Sequence, residues 1–276
     1  MIDVIKDTLL DGIKLIPFLF AAFLIIELIE HKIDSKKIIS NNTKYGPFIG
    51  GILGAFPQCG FSVLGTNLYA TRIITLGTLI YIYLSTSDEM IPLMLSNNVD
   101  ISIILKILSI KVIVGMLFGF IIDLIISNKK EINIDICEDD NCDCKHSIIK
   151  SSIHHTLKIF IFILLVSFIL NIILYYFGED SLKKLFLTDS IFSSFISSLI
   201  GLIPNCASSV LLTNLYINGA LNLGALLSGL LTGSGVGILV LFKVNKNMKE
   251  NVLILFTIYF IGVIVGILFN LIGIIL

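Results

Sequence analysis

Long apolar runs separated by short polar turns dominate the chain. Ile13–Ile29, Ile101–Ile126, Leu157–Phe177 and Val252–Leu276 are each of spanning length, since a bilayer crossing takes about 20 mostly apolar residues in helix. In hydrocarbon the backbone must satisfy its own hydrogen bonds, so these runs predict helices and an all-α integral membrane protein. Two stretches break the pattern. "FPQCGFSVLGTNLYA", Phe56–Ala70, and "IPNCASSVLLTNLYI", Ile203–Ile217, gather Pro, Cys, Ser, Thr and Asn at membrane depth.

These stretches are copies of one another. The gapless shift that lays Pro57 on Pro204 also pairs Cys59 with Cys206, Ser62 with Ser209, Thr66 with Thr213, Asn67 with Asn214 and Tyr69 with Tyr216. Further on it pairs Leu76 with Leu223 and Gly77 with Gly224. Apolar bias alone does not produce a shared P-x-C-x-x-S-V-L-x-T-N-L-Y. The chain divides into a first membrane repeat (1–127), a Cys/His/acidic linker (128–150) and a second membrane repeat (151–276).

Lysine placement orients the repeats. The turns Glu30–Lys37, Asn128–Ser147 and Lys243–Lys249 carry most of the loop lysines, and Ser96–Asp100 and Ile217–Asn222 carry none. By the positive-inside rule the first three are cytoplasmic and the other two external. Tyr45–Leu95 must then cross once in net, although it is too long for one helix and is broken at Pro57. A re-entrant hairpin followed by a crossing from Arg72 to about Leu95 satisfies this. The second copy enters from the opposite side, giving an inverted-repeat helical bundle with two re-entrant or broken-helix hairpins, a pattern found in secondary transporters.

Composition narrows the class further. Hydrophobic residues make up 56% and charged ones 14%, with a mean hydropathy of +0.99, which excludes a soluble globular domain. The N-terminus mixes acids and lysines and predicts no cleavable signal peptide. A net charge of −1 gives no reason to expect nucleic acid. The five cysteines do not read as a disulfide framework. No nucleotide-binding motif occurs, and no cofactor is expected.

The candidate chemistry sits at the breaks. Pro57 and Pro204 remove a backbone donor and disfavour helix in the preceding residue. After each proline, Cys59, Ser62, Thr66 and Tyr69, and likewise Cys206, Ser209, Thr213 and Tyr216, recur at helical spacing on one face. Hairpins from opposite leaflets would bring both cysteines, with Gln58, Asn205, Asn67 and Asn214, into one small volume. Thiolates select soft metals and thiophilic metalloids, and free helix N-termini favour anions and depress thiol pKa values. The competing reading is a small apolar Cys in a tight crossing, with Ser and Thr bonded to backbone carbonyls.

Three further features carry charge or soft ligands. "LSTSDEM", Leu84–Met90, is a second interruption, in which Thr86 and Glu89 fit a capping box. Asp88 or Glu89 there is a candidate coupling group, or else both cap a helix at the outer surface. Lys111 either pairs with one of them or lies in a segment, Ile101–Lys111, flat on the interface. In the linker, Cys137, Cys142, Cys144 and His146 place four soft ligands among acids, a candidate metal-capturing cluster or a solvated disordered tether.

At "PQCGFS…TNLYA…ITLGTL…LSTSDEM" and "PNCASS…LTNLY…GSGVG…LFKVNKN" the chain resembles the ten-transmembrane heavy-metal exporters, often labelled arsenic efflux proteins. The resemblance implies ten membrane segments, a cell-membrane location and export of heavy metals, metalloids or related small solutes. The resulting expectation is a secondary transporter, not an enzyme, whose partners are the bilayer and a metal or metalloid ion or small anion as cargo; a homo-oligomer is compatible with it. Transport of a manganese-like divalent cation at Asp88 and Glu89, or of a small organic anion, is the alternative within the class. A membrane thiol redox enzyme cycling Cys59 and Cys206 is the alternative outside it, disfavoured by the absence of C-x-x-C.

Overall fold

The structure is a computed structural model and describes residues 59–86, 90–126, 190–204 and 206–272, with scattered helical positions between 16 and 24 and between 152 and 168. Every regular element among the described residues is an α-helix. The first half supplies α1 (Cys59–Ala70), α2 (Leu76–Ser85), α3 (Met90–Ser96) and α4 (Ile101–Ile125). The second supplies α5 (Ser190–Gly201), α6 (Cys206–Ile217), α7 (Leu223–Thr232), α8 (Gly237–Val244) and α9 (Met248–Ile272). The shift that lays Pro57 on Pro204 carries α1 onto α6, α2 onto α7 and α4 onto α9 with both ends in register. The duplication extends from sequence to helix boundaries.

The helix ends repeat as well. Thr75 caps α2 by accepting the Thr78 amide, and Asn222 caps α7 by accepting that of Ala225. Both are short side chains that compete well for a first-turn N–H. At the other end of α1, Arg72 has φ 63°, and at the end of α6 Gly219 has φ 70°. Each closes its helix with the paired bonds of a Schellman motif. Arg72 N donates to Tyr69 O and Ile73 N to Leu68 O; Gly219 N donates to Tyr216 O and Ala220 N to Leu215 O. Glycine suits this left-handed position; arginine occupies it at a cost.

Close packing comes from small residues. A Cβ added to Gly119 on α4 would lie 2.7 Å from Gly77 O on α2, and one added to Gly266 on α9 would lie 2.7 Å from Gly224 O on α7. Four residues earlier on the long helices, Gly115 faces Tyr81, and Gly262 faces Ser228. The contacts run in opposite chain directions, so α2 lies antiparallel to α4 and α7 to α9. Without a hydrophobic drive in lipid, backbone proximity of this kind holds helices together.

Among the described residues, three segments are long and apolar enough to span: Ile101–Ile125, Leu223–Val244 and Met248–Ile272. The middle one, α7 with α8, is 83% buried over its spanning window, against 22% and 39% for α4 and α9. The long helices therefore face lipid, with Leu117, Phe120 and Leu124 of α4 exposed, and the interrupted ones lie inside. The expected crossing from Arg72 to Leu95 is two helices, α2 and α3, with α2 closed at Thr86. In the second copy α7 closes at Gly233 and Gly235 has φ 57°. Ile101–Lys111 does not lie flat on the interface, because it belongs to the unbroken 25-residue helix α4.

Candidate functional site

Each half is completed by the other. α1 packs on α8 and α6 on α3, while the equivalent pair α2 and α7 also touch. This reciprocal exchange places the two P-x-C helices across from elements of the opposite half. The second hairpin is visible in its arms. Ser228 Oγ donates to Ser194 O and Thr232 Oγ1 to Ser198 O, so α5 runs parallel to α7. Leu212 of α6 meets Gly229 on the way back, so α5 and α6 are antiparallel about the break at Pro204. The leading arm of the first hairpin, before Cys59, falls outside the described residues.

Both α1 and α6 begin at a cysteine, Cys59 and Cys206. Proline two residues earlier sets that start, as it cannot donate to a preceding turn. The side chains of both cysteines lie outside the described residues, as do Gln58, Asn205, Asp88, Glu89 and the linker residues Cys137, Cys142, Cys144 and His146. Among the described residues no group of His, Cys, Asp or Glu is arranged to hold a metal ion.

The polar face of α1 is buried against the second half. Thr66 Oγ1 lies 2.7 Å from Ser62 O, 2.6 Å from Tyr83 Oη and 3.1 Å from Gly237 O, and Tyr83 Oη is 3.2 Å from that same carbonyl. Two hydroxyl protons thus serve three oxygen acceptors across α1, α2 and α8. Gly237 permits the approach: a Cβ there would sit 2.8 Å from both Ser62 Cβ and Ser62 Oγ. Asn67 is buried and donates from Nδ2 to Val63 O at 3.1 Å. On α6, Ser209 and Thr213 are buried and Asn214 is half-buried. Thr213, the counterpart of Thr66, has no hydrogen-bond partner for its hydroxyl among the described residues, and neither has Ser197.

A second polar centre lies at the α2–α3 break. Lys111 is 1% exposed in the middle of α4, and its Nζ donates to Thr86 O. The equivalent residue on α9 is Ile258, fully buried. Asp123, lower on α4, accepts from Thr75 Oγ1 at 2.6 Å and from Gly77 N at 2.8 Å. It thereby sits at the N-terminus of α2, where a carboxylate is favoured.

The third centre joins the halves at the end of α1. Arg72 bonds Glu250 through both guanidinium nitrogens, at 2.7 and 2.9 Å. Tyr69 Oη donates to the same carboxylate, and the Arg72 guanidinium stands 5.0 Å from the Tyr69 ring centre. The hydrogen bonds to Glu250 raise the arginine pKa above its ordinary value, so the guanidinium stays charged at every working pH. Glu250 also belongs to an N-cap arrangement in which Asn247 Oδ1 accepts its amide.

Tyr83, Glu250, Asp123 and Ser197 do not emerge from the sequence pattern, whereas Gly237 ends the glycine-rich stretch Leu231–Gly237, whose small residues predict a close backbone approach. Of the former, Glu250 alone had a local signal, the N-x-x-E variant of a capping box at Asn247–Glu250. The others acquire their roles from partners on other helices or, for Ser197, from lacking one among the described residues.

An all-helical bundle with lipid-facing spans around interrupted inner helices defines a multi-pass membrane protein of the cell membrane. The chain belongs to the family whose model is titled "Putative, 10TM heavy-metal exporter", which matches residues 1–167 and 125–272. No curated protein and no solved structure matches it.

Proposed function

We propose that the protein is a secondary exporter that moves a thiophilic metal or metalloid ion, arsenic-type species included, by alternating access of two halves related by inversion. The observation that carries this reading is the paired start of α1 and α6 at the cysteine of a repeated P-x-C, each helix packed on the opposite half. In this reading Cys59 and Cys206 supply soft ligands at two helix N-termini, where the local dipole lowers thiol pKa and increases the thiolate fraction. Ser209, Thr213 and Asn214 add oxygen ligands on α6; on α1, Ser62 and Asn67 do so. The Thr66 hydroxyl is engaged in holding α1 to α8. Asp88 or Glu89 couples transport to a proton or cation. The family's exporter character favours transport over thiol redox chemistry.

The test is accumulation of arsenite, zinc and manganese in cells with and without the protein, and with Cys59→Ser and Cys206→Ser. Reduced accumulation of a soft species that depends on both cysteines is the expected result. Manganese export indifferent to both would transfer the site to hard oxygen ligands.

A further inference from the structure

The two hairpins carry the same motif but spend their hydroxyls differently. On α1, Thr66 makes the back-bond to the carbonyl four residues earlier, Ser62 O, and is shared with Tyr83 and Gly237 O. On α6 the equivalent hydroxyl, Thr213 Oγ1, is fully buried and bonds nothing among the described residues, not even the carbonyl of Ser209. The reason lies in what faces each helix. Tyr83 is replaced by Leu230 in the second half and Gly237 by Met90 in the first, so the phenol and the glycine that serve Thr66 have no equivalents at the positions matched to them.

A second orphan lies on the other arm of the same hairpin. Ser197 Oγ on α5 is fully buried and also without a partner among the described residues. The shift that pairs the halves puts Gly50, which has no hydroxyl, at the matching position. Both arms stand against Gly229 of α7: Ser197 O lies 2.9 Å from a Cβ built there, and Leu212, the residue before Thr213, lies closer still. Both arms thus reach the same point of α7, one at Ser197 itself and the other at the residue before Thr213. Buried polar groups are nearly always satisfied, and two left open in one hairpin mark a place that a further group completes.

We infer that the hairpins are functionally unequal: the Thr66 hydroxyl fixes α1 in place, whereas its counterpart Thr213 and, on the other arm of the second hairpin, Ser197 are offered to a hydrated or hydroxylated ion. The spacing 206, 209, 213 sets Thr213 on the Cys206 face of α6, about 10 Å of helix rise further along, so the hydroxyls form a separate station on the thiol's side of the helix. A hydroxyl both donates and accepts, which suits a metal-bound water or a metalloid hydroxide. This assignment rests on the cargo reading above for the identity of the guest, but not for the existence of the hydroxyl site.

Purified full-length protein carrying Thr213→Val or Thr66→Val separates the roles. Thr213→Val should melt at or above the wild type, because it deletes an unpaired buried hydroxyl, whereas Thr66→Val should melt lower. Thr213→Cys should react with a positively charged methanethiosulfonate reagent, read by mass on its own peptide, and Thr66→Cys should not. Export of whichever of arsenite, zinc or manganese the wild type moves should fall about tenfold in Thr213→Val, the size expected for one hydrogen bond to a charged group, and return in Thr213→Ser. Equal melting losses, equal labelling, or undiminished export by Thr213→Val each overturn the inference. Export lost in both cysteine variants but normal in Thr213→Val removes this assignment and keeps the thiolate reading; the reverse pattern keeps the hydroxyl site and removes the thiolates.

Discussion

Arg72, at the left-handed turn that ends α1, grips Glu250, in the first turn of α9, with both guanidinium nitrogens at 2.7 and 2.9 Å. The contact ties the two halves without a symmetric twin. By the repeat shift its counterpart positions hold Gly219 and Ile103, which cannot form it. A bidentate pair of this kind fixes the end of α1 to the start of α9 in a defined geometry.

The turn geometry gives this pair a distinctive mutational signature. Arg72→Ala removes the ion pair and leaves a Cβ at φ 63°, while Arg72→Gly removes the pair and relieves the backbone. Both should destabilise, but glycine less than alanine by about 1 kcal/mol. Thermal unfolding of the purified variants measures the difference. Should alanine prove as stable as glycine, the left-handed conformation at residue 72 is wrong. A double-mutant cycle with Glu250→Gln should give a coupling of about 1–3 kcal/mol.

Gly237 decides how closely the halves approach. A methyl group there meets Ser62 Cβ at 2.8 Å and Tyr83 Cε1 at 3.0 Å, both on helices of the opposite half. Gly237→Ala should therefore push α8 from α1, break the Thr66–Tyr83–Gly237 bonds and cost about 1–3 kcal/mol. Met90, at the equivalent place, is fully buried in a hydrophobic cluster; Met90→Ala should destabilise by leaving a cavity, about 2–5 kcal/mol. Opposite volume changes at matched positions would both weaken the fold. A melting temperature for Gly237→Ala equal to that of the wild type would mean that α8 does not press on α1 at Ser62.

Much of this architecture was legible in the residues themselves. The lysine-poor apolar runs mark Ile101–Ile125 almost to the residue, and the repeat shift carries over to helix ends because caps are local: Thr75 and Asn222 act on amides three residues away. Breaks at Pro204 and near Gly233–Gly235 follow from residue type alone. The glycine pairs Gly115/Gly119 and Gly262/Gly266 went unread, although their G-x-x-x-G spacing is a packing signal in apolar helices. Thr66 and Thr213 could not be told apart. Both share one motif, and the opposing helix, with Tyr83 and Gly237 in one case and Leu230 and Met90 in the other, sets their hydrogen bonding.

Lys111 supplies the last test. Its Nζ donates to Thr86 O at the C-terminal end of α2, where the chain leaves helix and a carbonyl loses its intrahelical donor. Lysine at the centre of a spanning helix is expensive, and it persists where backbone or charge receives it. Lys111→Met keeps the length of the stem and removes the donor and the charge, so Thr86 O is left buried without that bond. The expected loss is about 1–3 kcal/mol, the penalty of an unmade hydrogen bond in a buried place. Ile258→Met, at the matched position on α9, is a volume-conserving change and should cost under about 1.5 kcal/mol. Measured side by side by thermal unfolding, a larger drop for Lys111→Met supports a buried cation that fastens the α2–α3 break. Equal drops would mean that Lys111 contributes only its apolar stem, and the break would then be held by the small-residue contacts of α2 with α4 alone.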